Sequence, residues 1–183
     1  QLTQAQKDMG DILCKIVLTY SPSAWAATTA YTVGLRVRPV TWLLATGRVY
    51  VCTTAGTSGG SEPTWPTTAG DTVADGTTLV WTCKGLATQT YGVDTVNRLL
   101  KVTHPEQPYS QTANVLIENA DNILTNSVLE GYQGVLSYGY HTSAGDEYSA
   151  TAPLKAKAQE LVSSGGRLDC QLVLFGIPDQ MNE

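Results

Sequence analysis

Short apolar runs separated by turn residues dominate the pattern of hydrophobic and polar positions along the chain. The runs lie at residues 12–20, 99–103, 113–118, 134–140 and 168–174. They have the length of strands and are rich in β-branched residues, with Gly, Asn, Asp and Ser clustered between them. The stretch 154–162 fits a helix or one face of a strand, and its strand-like neighbours favour a strand. The pattern predicts a mainly β protein whose body is a β-sandwich or a β-barrel.

Residues 23–87 differ in composition from the rest of the chain. The four tryptophans of the protein all lie there, at Trp25, Trp42, Trp65 and Trp81. Short β-like runs alternate with turn clusters, and Asp75-Gly76 is a tight-turn signal that leads into a strand. Such a segment buries little apolar area per residue, so we expect its tryptophans to form the core. The composition predicts a small, Trp-rich β module.

The order of the runs predicts that this module is an insertion. If the domains followed one another along the chain, which is the alternative, the strand at 12–20 would have no partner. We therefore assign residues 1–22 and 88–183 to one discontinuous β body. Residues 23–87 then occupy an exposed loop of that body, where insertions are tolerated. Because the chain starts with Gln1 and ends in a turn-like sequence, we expect the natural protein to continue beyond Glu183.

Composition narrows the classes of partner. The chain has 183 residues, of which 42% are hydrophobic and 15% are charged, and its net charge is −5 at pH 7. A core can therefore form, and the acidic balance argues against electrostatic binding of nucleic acid. Apolar stretches fall short of the roughly 18 residues that a membrane span needs. We expect neither a nucleic-acid partner nor a membrane span.

The cysteines leave two interpretations open. Cys52 and Cys83 each end a strand-like run and are candidates to face each other on adjacent strands. They are either buried free thiols, since free cysteine is among the most buried residue types, or a disulfide. The four cysteines lack the paired spacing of a zinc site, and the two histidines do not complete one. We predict no metal site.

The sequence also lacks the patterns typical of catalysis. Asp146 and Glu147 are adjacent, so in a strand they point to opposite faces and do not share a substrate. His104 and His141 have no nucleophile at a meaningful spacing, and there is no GxSxG motif. The Gly-containing run at 57–60 lacks the lysine of a phosphate-binding loop. We predict that the protein is not an enzyme and uses no cofactor.

The tryptophans are the main candidates for a binding site. Trp81 alternates with Leu79 and Cys83 on one strand face, which is a core pattern. The candidates for contact with a glycan or a partner are Trp25, Trp42 and Trp65. Exposed aromatic rings stack on sugar faces and mark interaction surfaces. The alternative is that these rings fill the core of a purely structural or protein-binding module.

A family resemblance covers nearly all of residues 24–85. It rests on Trp25, Tyr31–Gly34, Arg38-Pro39, Tyr50–Cys52, the run AGTSGGSEPTW at 55–65, Asp75-Gly76 and Trp81. These residues resemble a recurrent small β module of phage structural proteins, which is itself similar to carbohydrate-binding modules of the chitin-binding type. In the carbohydrate-binding relatives, exposed aromatic residues stack on sugar rings. The resemblance therefore implies a β module with glycan binding as one of its functions.

A second, more diffuse resemblance covers the section after residue 88. It rests on residues 113–119, 129–134, 138–140, 146–148, 152–154 and 172–177 with Asp179. These residues look like baseplate or tail-tip proteins of tailed phages. The resemblance implies a β-sandwich or barrel in which the glycines occupy turns.

The two resemblances imply a structural protein of a virion tail or baseplate, located in the extracellular particle. Its expected partners are other copies of itself and neighbouring virion proteins, because unpaired edge strands have to be covered by something. The alternative is a carbohydrate-binding protein that attaches to a cell-surface glycan.

Overall fold

The computed structural model describes residues 12–44, 46–92, 98–107, 110–164 and 166–176. The chain is mainly β, as predicted, and the described residues include no α-helix. The strands are β1 (Ile12–Thr19), β2 (Ser23–Ala24), β3 (Ala30–Tyr31), β4 (Arg36–Arg38), β5 (Arg48–Thr54), β6 (Gly56–Thr57), β7 (Thr72–Asp75), β8 (Leu79–Leu86), β9 (Thr88–Tyr91), β10 (Leu99–Thr103), β11 (Glu106–Gln107), β12 (Ser110–Glu118), β13 (Gln133–Thr142), β14 (Gly145–Ala150), β15 (Leu154–Ser164) and β16 (Arg167–Phe175). A short 3₁₀-helix covers Ile123–Thr125.

The chain divides into two compact units. Unit 1 comprises Gln1–Leu18, Thr90–Ala120 and Leu129–Glu183. Unit 2 comprises Thr19–Gln89 together with Asp121–Val128, a segment that the sequence did not associate with the Trp-rich module. Leu124 and Ser127 are the buried residues of that added segment. The sequence gave no sign of the association, because the three apolar residues Ile123, Leu124 and Val128 are too few to show a periodicity.

Unit 1 is built on one wide, curled sheet. The strand order is β10-β12-β16-β15-β13-β1-β9, and β14 pairs with the far end of β13. Alternate residues of β12 (Ala113, Val115 and Ile117) are buried, which is the period of two that a half-buried strand requires. A Cβ atom at Gly134 on β13 would lie 2.5 Å from the Leu174 side chain on β16. Because β15 separates these strands in the sheet, such closeness requires strong curvature.

The strand that the sequence left ambiguous is resolved as β15. It pairs with β16 over most of its length, from Lys155 opposite Phe175 to Ser164 opposite Arg167. Lys, Gln and Glu are helix-favouring residues, so local propensity alone would have given the wrong answer here. Pairing with two neighbours in the sheet outweighs that preference, because propensity differences are only tenths of a kcal/mol per residue.

Unit 2 contains two small sheets in a sandwich-like arrangement. One has the order β2-β4-β5-β8-β7, and the other pairs β3 with β6. The two sheets meet where the Tyr31 ring of β3 contacts the Trp81 ring of β8 edge-on, at 4.8 Å between centroids. Trp81 is fully buried, in agreement with its alternation with Leu79 and Cys83. The module therefore has an aromatic core of its own.

Candidate functional site

A buried carboxylate organises the core of unit 2. Asp75, at the end of β7, is only 4% exposed. Its Oδ2 atom accepts hydrogen bonds from the indole N–H groups of Trp25 at 2.7 Å and Trp81 at 2.9 Å. Its Oδ1 atom accepts the backbone N–H of Gly59 at 2.7 Å. Two of the four tryptophans are therefore fixed by one side chain, and Trp25 is buried rather than available as a contact residue.

Trp65 is partly buried and packs against the same core. Its ring lies 4.3 Å from that of Tyr50 and 6.0 Å from that of Trp81, measured between centroids. Its indole N–H donates to the Glu62 carboxylate at 2.7 Å, and the same oxygen accepts the Val40 backbone N–H at 2.8 Å. The packing and the hydrogen bond together hold the Trp65 ring in one orientation.

Trp42 is the third of the candidate tryptophans that the sequence singled out. It is half-buried, its ring lies against Gly47, and the Arg38 guanidinium sits 5.0 Å from the ring centroid. This is the distance of a cation–π contact. The Trp42 indole N–H and the Arg38 Nε–H have no acceptor within the described part of the chain. Buried donors without acceptors are costly, so this pair is less well satisfied than the Asp75 cluster.

Next to Trp42 the chain exposes a hydrophobic segment, residues 40–44, which we call the apolar loop. Leu43 is 72% exposed and Val40 is 55% exposed, and Leu44 is exposed as well. The loop is held in place because the Leu43 carbonyl accepts the Gly47 N–H at 2.6 Å. The Thr88 hydroxyl donates to the Leu44 carbonyl at 2.9 Å. Fixed backbone with exposed apolar side chains is a feature of interaction surfaces.

Charged residues of both signs lie near the apolar loop. Between Leu18 and Glu62 the chain carries Arg36, Arg38 and Arg48 and no Asp or Glu. Arg48 begins β5, directly after the loop, and is paired in register with the exposed Leu86. The Glu62 carboxylate also reaches the loop, where it accepts the Val40 N–H at 2.8 Å. The loop is thus an apolar surface with both arginine and glutamate beside it.

The disulfide that the sequence left open between Cys52 and Cys83 is not formed. The two residues lie on the neighbouring strands β5 and β8, but Cys52 is opposite Trp81 and Cys83 is opposite Tyr50. They are therefore offset along the strands rather than facing each other, and both are buried free thiols. Burial raises the pKa of the Cys52 thiol, and a backbone hydrogen bond of Thr54 partly offsets that effect.

A second exposed surface lies on the hairpin formed by β13 and β14 of unit 1. Tyr138 is opposite Ser149, and Tyr140 is opposite Glu147. Residues that are directly opposite share a face of a sheet, so Glu147 lies among the two exposed tyrosines. Asp146, on the other face, contacts His141 at 2.6 Å. The expectation that Asp146 and Glu147 point to opposite faces agrees with this register.

A shallow groove lies beside the same hairpin. It is lined by His104, Tyr138, Ser149, Ala150 and Thr151. The His104 ring stacks on that of Tyr138, and its Nδ1 atom is 3.2 Å from the tyrosine hydroxyl. In the part of the chain that the structure describes, His, Cys, Asp and Glu do not gather in groups of three or more that could hold a metal ion.

Comparison of the chain with protein families, curated proteins and solved structures gives no match in any of the three. Among the described residues, no helix has the length and hydropathy to cross a membrane.

The hairpin surface was missed by the sequence reasoning, and the apolar loop was noticed only through Trp42. The run Val40–Leu44 has neither helical nor strand periodicity, and a short apolar run of this kind also fits a buried strand, so the sequence did not mark it as exposed. The alternation of Tyr138 and Tyr140 resembles the inward face of a strand. Only the register shows that β13 extends beyond the buried Leu136 and leaves these rings in solvent.

Proposed function

We propose that this chain is a non-catalytic structural component of a virion tail or baseplate. In this proposal it assembles with other copies of itself and with neighbouring virion proteins, and unit 2 is presented on the surface of the assembly. The mainly β architecture and the resemblance of both sections to phage structural proteins support this role. The proposal concerns assembly and display, and it needs no cofactor.

The exposed apolar loop is the observation that carries the proposal. Three neighbouring apolar side chains, Val40, Leu43 and Leu44, remain in solvent while unit 2 has a well-formed core elsewhere. A protein that stays alone in water gains nothing from such a cluster, whereas burial against a partner is favourable by about 25 cal/mol per Å² of apolar surface. The rigid backbone of the loop lowers the entropy lost on binding.

The packing of the tryptophan rings also favours a structural role. The Asp75 carboxylate holds Trp25 and Trp81 inside the core, and Trp65 is packed on Tyr50. A platform that stacks on sugars needs an exposed ring face. Trp42 is the remaining candidate for the alternative function, attachment to a cell-surface glycan, because it is only partly buried and is not among the residues of the aromatic core.

The proposal is tested by measuring the mass of the purified chain by light scattering over a concentration series. We expect the mass to rise to a defined oligomer or a growing filament. A monomer at every concentration up to the millimolar range contradicts the proposal.

A glycan array tests the alternative function with the same protein. Selective binding that is abolished by Trp42→Ala and retained by Val33→Ala, an exposed residue of the same unit, identifies a carbohydrate-binding protein. On the structural reading, the array shows no selective binding for the wild type.

A further inference from the structure

We infer that the apolar loop of one copy docks on the β13–β14 hairpin of a second copy. The inference rests on the proposed function, self-assembly, and names the surfaces that carry it. The loop contributes Val40, Leu43 and Leu44, with Arg38 and Arg48 beside them. The hairpin contributes Tyr138, Tyr140 and Glu147 from one face.

The loop surface is suited to an aromatic and acidic partner. Its large exposed side chains are aliphatic, and the Arg38 guanidinium lies against the Trp42 ring. The nearby Glu62 carboxylate is already engaged by the Val40 N–H and the Trp65 indole. Arginine stacks on aromatic faces and pairs with carboxylates, so Arg38 and Arg48 can use both kinds of group. The partner surface should therefore combine aromatic rings with carboxylates.

The hairpin surface has this composition. Tyr140 is 45% exposed and Tyr138 is 36% exposed, and Glu147 lies opposite Tyr140 in the register. Asp146 lies on the other face and contacts His141, so Glu147 is the carboxylate of this surface, and the hairpin contains no Lys or Arg. Tyrosine supplies a large contact area with few rotatable bonds, which makes it a frequent residue of protein interfaces.

The alternative occupant of the loop is an anionic lipid surface, which also suits apolar residues flanked by arginine. The net charge of −5 opposes the approach of the whole chain to such a surface. A second copy supplies the complementary acidic hairpin at the same concentration as the loop itself. The charges therefore favour the second copy.

Two different surfaces can pair head-to-tail along a series of copies or reciprocally in a two-fold dimer. The proposed self-assembly into a particle corresponds to the head-to-tail case, in which a copy that binds through its loop still offers its hairpin to a third copy and the contact repeats. Repetition of a heterologous contact gives a closed ring or an open filament rather than a symmetric dimer. This is the assembly behaviour that the proposed function requires.

The test uses the full chain and measures the dissociation constant of self-association by light scattering. We expect Leu43→Ser, Arg48→Glu and Glu147→Arg each to raise this constant at least tenfold, because each removes apolar contact or creates a like-charge pair across the interface. The matched controls are Val33→Ser and Glu160→Arg, which change exposed residues outside the two surfaces. The controls should associate like the wild type, and near-ultraviolet circular dichroism confirms that every variant is folded.

The double variant Arg48→Glu/Glu147→Arg gives the decisive test of the interface. It exchanges the two charges, so association should return to within about threefold of the wild type. If the wild type associates and the three single variants associate equally well, this interface is wrong while self-assembly stands. If the wild type stays monomeric, the proposed function fails as well. If the wild type is monomeric and binds phosphatidylserine vesicles, and the Leu43→Ser variant alone loses that binding, the loop docks on a lipid surface instead.

Discussion

Replacement of Asp75 is the sharpest test of how unit 2 is held together. The carboxylate is almost completely buried and accepts three hydrogen bonds, from the indoles of Trp25 and Trp81 and from the backbone of Gly59. The three donors come from the entry to the module, from strand β8 and from the loop after β6. One side chain therefore joins three parts of the unit that are distant in sequence.

The size of the effect follows from the number of donors left without an acceptor. A buried donor that loses its partner costs about 1–3 kcal/mol. Asp75→Ala leaves three such donors without an acceptor, so we expect a loss of roughly 3–9 kcal/mol, which is comparable to the whole stability of a small domain. Asp75→Asn keeps one side-chain oxygen and places an amide N–H₂ against at least one donor. We expect it to lose about 2–4 kcal/mol on the same reasoning.

Urea unfolding followed by tryptophan fluorescence measures this loss. All four tryptophans belong to unit 2, so the signal reports that unit and not unit 1. Asp71→Asn is the matched control, since Asp71 is an exposed carboxylate four residues earlier and should change stability by less than about 0.5 kcal/mol. Equal unfolding midpoints for Asp75→Asn and Asp71→Asn would refute the view that Asp75 organises the core.

Three further predictions concern other positions. Gly76→Ala should destabilise unit 2 by at least about 2 kcal/mol in the same urea assay, because Gly76 has φ +64° and its Cβ atom would clash with the Thr57 carbonyl; an unchanged midpoint contradicts this. Gly134→Ala should lower the thermal midpoint of unit 1 in calorimetry by overpacking against Leu174, at a cost of about 1–3 kcal/mol; a midpoint at or above that of the wild type would show that the sheet adjusts. Burial raises the pKa of Cys170 to about 11, so its thiol should resist iodoacetamide at pH 8 until the protein unfolds, as measured by mass spectrometry of labelled peptides; rapid labelling of the native protein contradicts the burial.

The raised pKa of Cys170 also predicts how the stability of unit 1 depends on pH. The folded-state pKa is raised above the ordinary thiol value of 9.0. Below pH 9 the thiol is neutral in both the folded and the unfolded state, so it does not make the free energy of unfolding depend on pH. Between about pH 9 and pH 11 the unfolded chain ionises first, so the stability of unit 1 should fall as the pH rises through that window.

The strands that alternate or carry β-branched residues were predictable from the sequence. β1, β12, β13 and β16 lie where periodicity and turn signals placed them, because one buried face imposes a period of two. Trp81 was likewise identified as core from its spacing with Leu79 and Cys83. These features depend on residues that are close together in the sequence, so the local hydrophobic pattern predicts them.

Long-range features were not predictable in the same way. The hub at Asp75 unites Trp25 and Gly59 across 50 and 16 residues, and a turn-like Asp-Gly pair gives no sign of a buried acceptor. The offset between Cys52 and Cys83 depends on the register of β5 and β8, in which irregularities shift the pairing. The exposure of Tyr140 depends on how far β13 extends beyond its core. Each of these is decided by tertiary contacts.

Electron microscopy of the purified chain, at concentrations where its mass exceeds that of a monomer, tests the central claim most directly. Head-to-tail contact between the apolar loop and the hairpin predicts closed rings of uniform diameter or filaments with a regular repeat. Glu147→Arg should abolish these particles, and exchange of the Arg48 and Glu147 charges should restore them. Irregular aggregates, or isolated monomers in every field, would contradict the account.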